Sequence, residues 1–238
     1  VRHVYPTEAG RIHVWSLLWL RRWWLRDRRH ARPLRIDLRP HCNDEERWIA
    51  SDDGPRCSIH IVAGLLDNYS YILVDRTSED VLTCCIVDPG DADAVLEAFA
   101  ELREQHYDRS HSVVRVESIL VTHKHWDHQA GVRKLVRAEH ITKVFAGQNE
   151  PVKGVTHKLK PYERFSMGSL VLEAVPSPCH TRGHTMFALL DAEERRVEAL
   201  FSGDTLFCGG CGAPFEGPAE HVAYNFRALY HRCDDTTL

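Results

Sequence analysis

From Cys57 onward the apolar positions fall into short blocks separated by turn residues. CSIHIVA alternates, which predicts a strand with Ile59, Ile61 and Ala63 on one side. YSYILVD (Tyr69–Asp75) and VLTCCIVD (Val81–Asp88) are apolar, β-rich and bounded by turns, as buried strands are. A Pro89–Asp91 turn ends the third strand. The next block, Ala92–Gln105, changes period: Val95, Leu96, Phe99 and Leu102 recur at helical spacing. VESILVT (Val116–Thr122) predicts a short buried strand, His128–Glu139 a helix, and ITKVFAG another strand. Glu163–Val175 reads as a hairpin turning at Met167–Gly168. Thr185–Asp191 and Arg196–Ser202 follow as strands, and Pro218–Arg232 as a helix with proline in its first turn. Strands and helix, then strands and helix again, predict two sheets face to face with helices outside, a four-layer α/β/β/α sandwich.

Composition narrows the picture. The 238 residues suffice for a full core, 43% are hydrophobic and 27% charged, and the net charge is −4. That balance speaks against nucleic acid as a partner, which calls for a basic surface. Residues 1–40 differ: they hold ten arginines, no lysine and only Glu8, Asp27 and Asp37 as acids. Within them VWSLLWL (Val14–Leu20) runs into RRWWLRDRR (Arg21–Arg29). The run is too short for the roughly 20 residues of a membrane span. Tryptophan beside arginine suits a membrane surface, and an arginine-rich, acid-poor start suits an organelle transit segment. The reading is therefore a basic aromatic arm and linker over residues 1–56, associating with membrane through residues 11–30, followed by one domain over 57–238. The expected location is mitochondrial or membrane-associated within the cell, or otherwise cytoplasmic. Of eight cysteines, adjacent Cys84 and Cys85 lie in an apolar run, which favours buried thiols and a reducing compartment.

Candidate chemistry is concentrated in three clusters. Thr122-His123-Lys124-His125-Trp126-Asp127-His128 places three imidazoles and a carboxylate at the end of a strand. Imidazole and carboxylate are ligands that zinc and non-haem iron favour. His123 and His125, two apart, point the same way on extended backbone, and Asp127 and His128 turn toward a second point as the helix begins. Pro178-Cys179-His180-Thr181-Arg182-Gly183-His184 follows a strand, and His180 can complete the set of His123 and His125. His184 is either a further ligand or, preferably, a hydrogen-bonded structural histidine. Phe201-Ser202-Gly203-Asp204-Thr205 sets Asp204 just past another strand, where it could bridge two metals, with a glycine that allows close backbone approach. Cys208-Gly209-Gly210-Cys211 has no second pair with which to build a structural zinc site, so it reads as a tight loop.

In this order, THKHWDH, PCHTRGH, SGDTLF and GCGAPFEG resemble the glyoxalase II (hydroxyacylglutathione hydrolase) branch of the metallo-β-lactamase superfamily. The resemblance extends over about Ile59–Leu238. It implies the metallo-β-lactamase fold, two zinc sites (iron or manganese being alternatives) and hydrolysis of a glutathione-linked thioester by a metal-bound hydroxide. By position, His123, His125 and His180 would hold the first metal, Asp127 and His128 the second, and Asp204 would bridge them. Asp127 would also help orient the water. The resemblance places Ala213 and Phe215 at the substrate, where the family commonly has a basic residue and often a tyrosine, both holding glutathione. The family's last histidine, in a Gly-His-Glu motif beyond an aspartate-rich turn, has no counterpart before Leu238. The second site and the final part of the domain are thus expected to be incomplete. Two rivals stand beside the hydrolase. One is a persulfide dioxygenase with a single iron on His123, His180 and Asp204. The other is a degenerate, membrane-tethered binding module.

Overall fold

The computed structural model of the chain describes residues 34–38, 56–65, 68–107, 113–207 and 209–232. The membrane-surface reading of residues 11–30, the linker 43–55, Cys208 and the turn at Cys233 lie outside them.

The larger sheet has seven strands in chain order: β1 (Leu34–Leu38), β2 (Cys57–Gly64), β3 (Asn68–Asp75), β4 (Val81–Val87), β5 (Val113–Val121), β6 (Lys143–Gly147) and β7 (His157–Leu159). Strands β1 to β4 pair antiparallel, whereas β4 to β7 run parallel. The parallel pairs need crossover connections. Helix α1 (Ala92–Tyr107) joins β4 to β5, and α2 (Trp126–Gln129) with α3 (Val132–Ala138) joins β5 to β6. The smaller sheet is ordered β11 (Val197–Phe201), β10 (Thr185–Leu190), β9 (Leu170–Pro176), β8 (Arg164–Met167), all antiparallel. Helix α4 spans Ala219–Arg232.

Three apolar clusters define the layers. Val95, Phe99 and Leu102 of α1 and Val132 and Leu135 of α3 pack on Ile72, Ile86 and Ile119, the outer face of the large sheet. Leu73, Cys85, Val87 and Leu120 meet Leu170, Leu172, Phe187 and Phe201 between the sheets. Leu229 of α4 covers Val175, Met186 and Ala188 on the outer face of the small sheet. Each fully buried Leu, Ile or Phe contributes about 1.5–3 kcal/mol of apolar transfer, so burial on both faces of both sheets is what holds four layers together. The expected α/β/β/α sandwich is the observed one.

Three local expectations are corrected. β2 is not one-sided: Ile59 faces the inter-sheet core, but Val62 on the other side is buried in the outer cluster, while Ile61 and Ala63 are only half-buried. A strand covered on both faces loses clean alternation. The helix expected over His128–Glu139 is broken at Ala130–Gly131, because the Gly131 N–H leaves the helical ladder and donates to Pro89 O at 2.8 Å. Two short strands, β1 and β7, are additions to the expected set. β1 lies within the segment read as arm and linker and pairs with β2 along its full length.

Candidate metal centre

The parallel strands set the site. Asp88 follows β4, His123–His128 follow β5, and both therefore emerge at one edge of the large sheet, where ligands gather in sheets of this kind. β9 and β11 are both antiparallel to β10, so their C-terminal ends share an edge too. His180 follows β9 and Asp204 follows β11. Thr185 N–H donates to Thr122 O at 3.0 Å, so the two sheets are joined beneath these ends.

There the side chains converge. His123, His125, His180 and Asp204 each offer one ligand atom, and these atoms all lie within 4.8 Å of one another. Nε2 of His123 and Nε2 of His180 lie 3.0 and 2.9 Å from Nδ1 of His125. Asp204 Oδ2 is 3.1 Å from Nε2 of His180 and 4.0 Å from that of His123. Tetrahedral zinc with ligands at about 2.0–2.1 Å separates its donors by roughly 3.3 Å, so this cage has the right size.

The tautomers are set from outside, as the hydrogen-bond network assigns them. His123 donates from Nδ1 to the Thr122 hydroxyl (3.1 Å), and His180 from Nδ1 to the carbonyl of Ala213 (2.9 Å). Each is left with an Nε2 lone pair facing inward, as metal ligands require. Burial, with the neighbouring His128 and His184, holds His123 well below the usual histidine range, so its ring is neutral. Burial and His180 lower His125 as well. Nitrogen lone pairs this close repel unless a cation or proton lies between them. The donor set therefore fits a metal ion.

A second group lies beside the first. Asp204 turns its other oxygen, Oδ1, to Nε2 of His128 at 3.1 Å, and Asp127 Oδ2 is 3.7 Å from the same nitrogen. Asp127 is anchored by Asn68, whose Nδ2 donates to its Oδ2 (2.8 Å) and to its backbone carbonyl (3.1 Å). His128 donates from Nδ1 to Asp88 Oδ2 at 3.0 Å. Burial alone would lower His128, but the carboxylates of Asp88 and Asp204 more than offset it and lift it to about 10. For Asp204 burial opposes ionisation, yet hydrogen bonds from His128 and His180 hold its carboxyl well below the carboxylate range. All six residues singled out as ligands thus come to one place, four of them in the first group and Asp127 and His128 in the second, with Asp204 facing both.

His184 is structural in this arrangement. Its Nε2 accepts the Asp204 N–H (3.2 Å), its Nδ1 faces the Thr205 hydroxyl (3.4 Å), and its ring stacks on His123 at 4.9 Å. Burial, reinforced by His180, brings it down to about 3. Gly203 is obligatory here: its φ is +50°, and a Cβ would lie 2.5 Å from Thr122 Oγ1 and 2.8 Å from His184 Nε2. Ala213 contributes through its carbonyl rather than its methyl group. Phe215 is 68% exposed, its ring 5.2 Å from that of His180 and 6.0 Å from that of His125, a wall at the mouth of the site.

Sequence reasoning missed Asp88. It accepts the Thr122 N–H (2.7 Å) and hydroxyl (2.6 Å) besides His128, and it adopts φ +48°, unusual for a residue with a side chain. The one signal that could have found it is an acid terminating a buried apolar strand. Among the described cysteines, Cys57, Cys84, Cys85 and Cys179 are buried free thiols and Cys211 is exposed. Among the described residues no helix is long and apolar enough to cross a membrane.

Comparison with known proteins fits this geometry. The chain is 32% identical over 176 residues to the hydroxyacylglutathione hydrolase of Dictyostelium discoideum, a match taking in 72% of this chain and 60% of that protein. The chain thus spans less than two thirds of that relative's length. No family model matches it. Its fold is shared with a metallo-beta-lactamase from Staphylococcus aureus subsp. aureus COL (TM-score 0.56, 20% identity, 71% of this chain and 49% of that one). ETHE1 from Myxococcus xanthus is similar to the same degree (TM-score 0.56, 20% identity, 71% of this chain and 67% of that one).

Proposed function

Because this chain has the metallo-β-lactamase fold and is a sequence relative of hydroxyacylglutathione hydrolase, we propose that it is a metal-dependent hydrolase of S-acylglutathione-like thioesters. One observation carries the reading: the two oxygens of Asp204 face two different donor groups, His180 with its neighbours on one side and His128 on the other. A carboxylate so placed could serve two ions at once. His123, His125 and His180 with Asp204 would hold the first, and Asp127 and His128 with Asp204 the second, with zinc the metal best suited to this imidazole-rich set. Bound there, the ions would supply a hydroxide nucleophile at neutral pH and polarise the thioester carbonyl.

The chain's own residues do the rest. Asn68 fixes Asp127 so that its carboxylate faces the second group and can orient the attacking water. Asp88 and the Ala213 carbonyl keep His128 and His180 turned inward. Phe215, whose ring lies beside that of His180, would form one wall of the mouth toward the thiol carrier. No strong acid is needed for the leaving group, since a thiol has a pKa of about 8.5.

The persulfide dioxygenase reading needs only His123, His180 and Asp204. Against it, His125 Nδ1 sits within 3.0 Å of both other imidazoles, so a third nitrogen belongs to the same set. Incubating the purified protein with S-lactoylglutathione and, separately, with glutathione persulfide tests the proposal. Thiol release from the thioester is expected. Oxygen consumption with the persulfide and no thiol release would reject the hydrolase. A membrane surface remains the proposed partner of residues 11–30, at a mitochondrial or other intracellular membrane.

A further inference from the structure

Two ligand-bearing turns have to be held in register: His123-Lys124-His125 from the large sheet and His180–His184 from the small one. Between them lies Glu150, on the turn that follows β6, and only 1% of it is exposed. Its Oε1 accepts the N–H of Lys124, the residue between the two histidines, at 2.7 Å. Its other oxygen faces the opposite turn. A Cβ on Gly183 would lie 2.5 Å from Oε2, and the Thr181 hydroxyl and Gly183 amide are turned to it, without a well-formed bond to either. Its own backbone is fastened by its N–H to Gly147 O at 2.9 Å.

A carboxylate buried this deeply is costly unless it is held by donors. Burial indeed raises Glu150 above its ordinary range, and the Lys124 amide opposes that rise. The side chain reaches from one turn to the other: Oε1 is bonded to the first, and Oε2 lies against the second. A second carboxylate repeats the span nearer the surface. Glu216 pairs with the Lys124 ammonium through Oε1 and accepts the Arg182 N–H through Oε2 at 2.9 Å. Being part-exposed, that outer link is the weaker one.

We infer that Glu150 is a positioning residue for the metal centre, a buried clamp that fixes the distance between the His123–His125 turn and the His180–His184 turn. It touches no ligand side chain. It acts through the backbone of Lys124 and of the 181–183 turn, and so sets where Nε2 of His123, Nδ1 of His125 and Nε2 of His180 meet. The inference rests on the reading that these residues bind metal.

The test is chelator competition for zinc, with the visible spectrum of the cobalt-substituted protein and the thermal midpoint of the metal-free protein, in wild type and Glu150→Ala. Shortfalls in supports outside the ligands typically cost about 10–100-fold in metal affinity. A loss of at least about 10-fold is expected in Glu150→Ala, with altered cobalt bands that report changed ligand geometry. Glu150→Gln keeps an oxygen for the Lys124 amide but sets an NH2 against the opposite turn, so a smaller loss is expected. Should Glu150→Ala not fold, Glu150→Gln and Thr181→Val carry the same comparison. If the midpoint falls while zinc affinity and the cobalt bands stay as in wild type, Glu150 merely supports the fold and the inference is overturned. A wild type with no tight zinc would instead overturn the metal reading itself, and the clamp with it.

Discussion

The Nδ1–H of His128 points at the Asp88 carboxylate 3.0 Å away, and both side chains are almost fully buried. The pair fixes which nitrogen of His128 faces Asp204. Asp88→Asn should weaken the second metal about 10–100-fold, the usual cost of losing such a support. The first metal should be less affected, because none of its ligands is bonded directly to Asp88. Metal content after dialysis against graded chelator checks this, and equal loss of both metals would contradict it.

Metal uptake should release a proton. In the metal-free protein His128, lifted to about 10, keeps its proton throughout the neutral range, whereas a ligand must be neutral. The sign is therefore that binding of the second equivalent strengthens as pH rises toward 10. Calorimetry at pH 7.5 in buffers of different ionisation enthalpy should show about one proton released with that equivalent. No buffer dependence would mean that His128 is not displaced from its charged form.

Removing the ligands should empty the centre. A protein carrying His123→Ala and His180→Ala together should lose most of its transition metal by elemental analysis. Full retention would show that the metal sits elsewhere.

The buried thiols give a pH dependence of their own. Burial pushes Cys57 and Cys85 from an ordinary value of 9.0 up to about 12, because the interior disfavours the thiolate. Between pH 9 and 12 the unfolded chain releases these protons and the folded chain keeps them. Their contribution is thus fully present below about pH 9 and is lost as pH rises through that window. Denaturant midpoints at pH 8 and 10 should show a fall that is shallower in Cys85→Ala. In the native protein at pH 8, Cys211 should react with a thiol reagent while Cys57, Cys84 and Cys85 do not.

The arm should associate with anionic vesicles, each basic residue near the surface contributing about 1 kcal/mol. Co-sedimentation should drop when residues 1–33 are deleted. Equal sedimentation with and without them would reject the membrane as a partner.

The ligand histidines were legible because they are crowded: a merely polar loop does not gather four ligand-type side chains between His123 and His128, directly after a strand. Asp204 and His180 could be read for a similar reason, each standing in a short polar run at a strand's end. Asp88 and Glu150 could not. Each is an acid in a short proline-containing turn, and each matters only because β4, β5 and β6 lie parallel and side by side, a long-range pairing that local pattern does not reveal. Gly131 misled in the same way, since it breaks its helix to reach Pro89, 42 residues earlier. β7, three residues long with only Leu159 buried, offered too little alternation to notice.

The donors of the first group come from both halves of the chain: His123 and His125 belong to the large sheet, His180 and Asp204 to the small one. A chain leaving the ribosome presents its first two imidazoles well before the last oxygen exists. At elongation rates of about 5–20 residues per second, Asp204 is added several seconds after His123. Until His180 follows, the first group has only His123 and His125, with Asp127 and His128 beside them in the same segment. On the proposed reading, the order of translation would therefore place completion of the first metal's donor shell after the synthesis of Asp204.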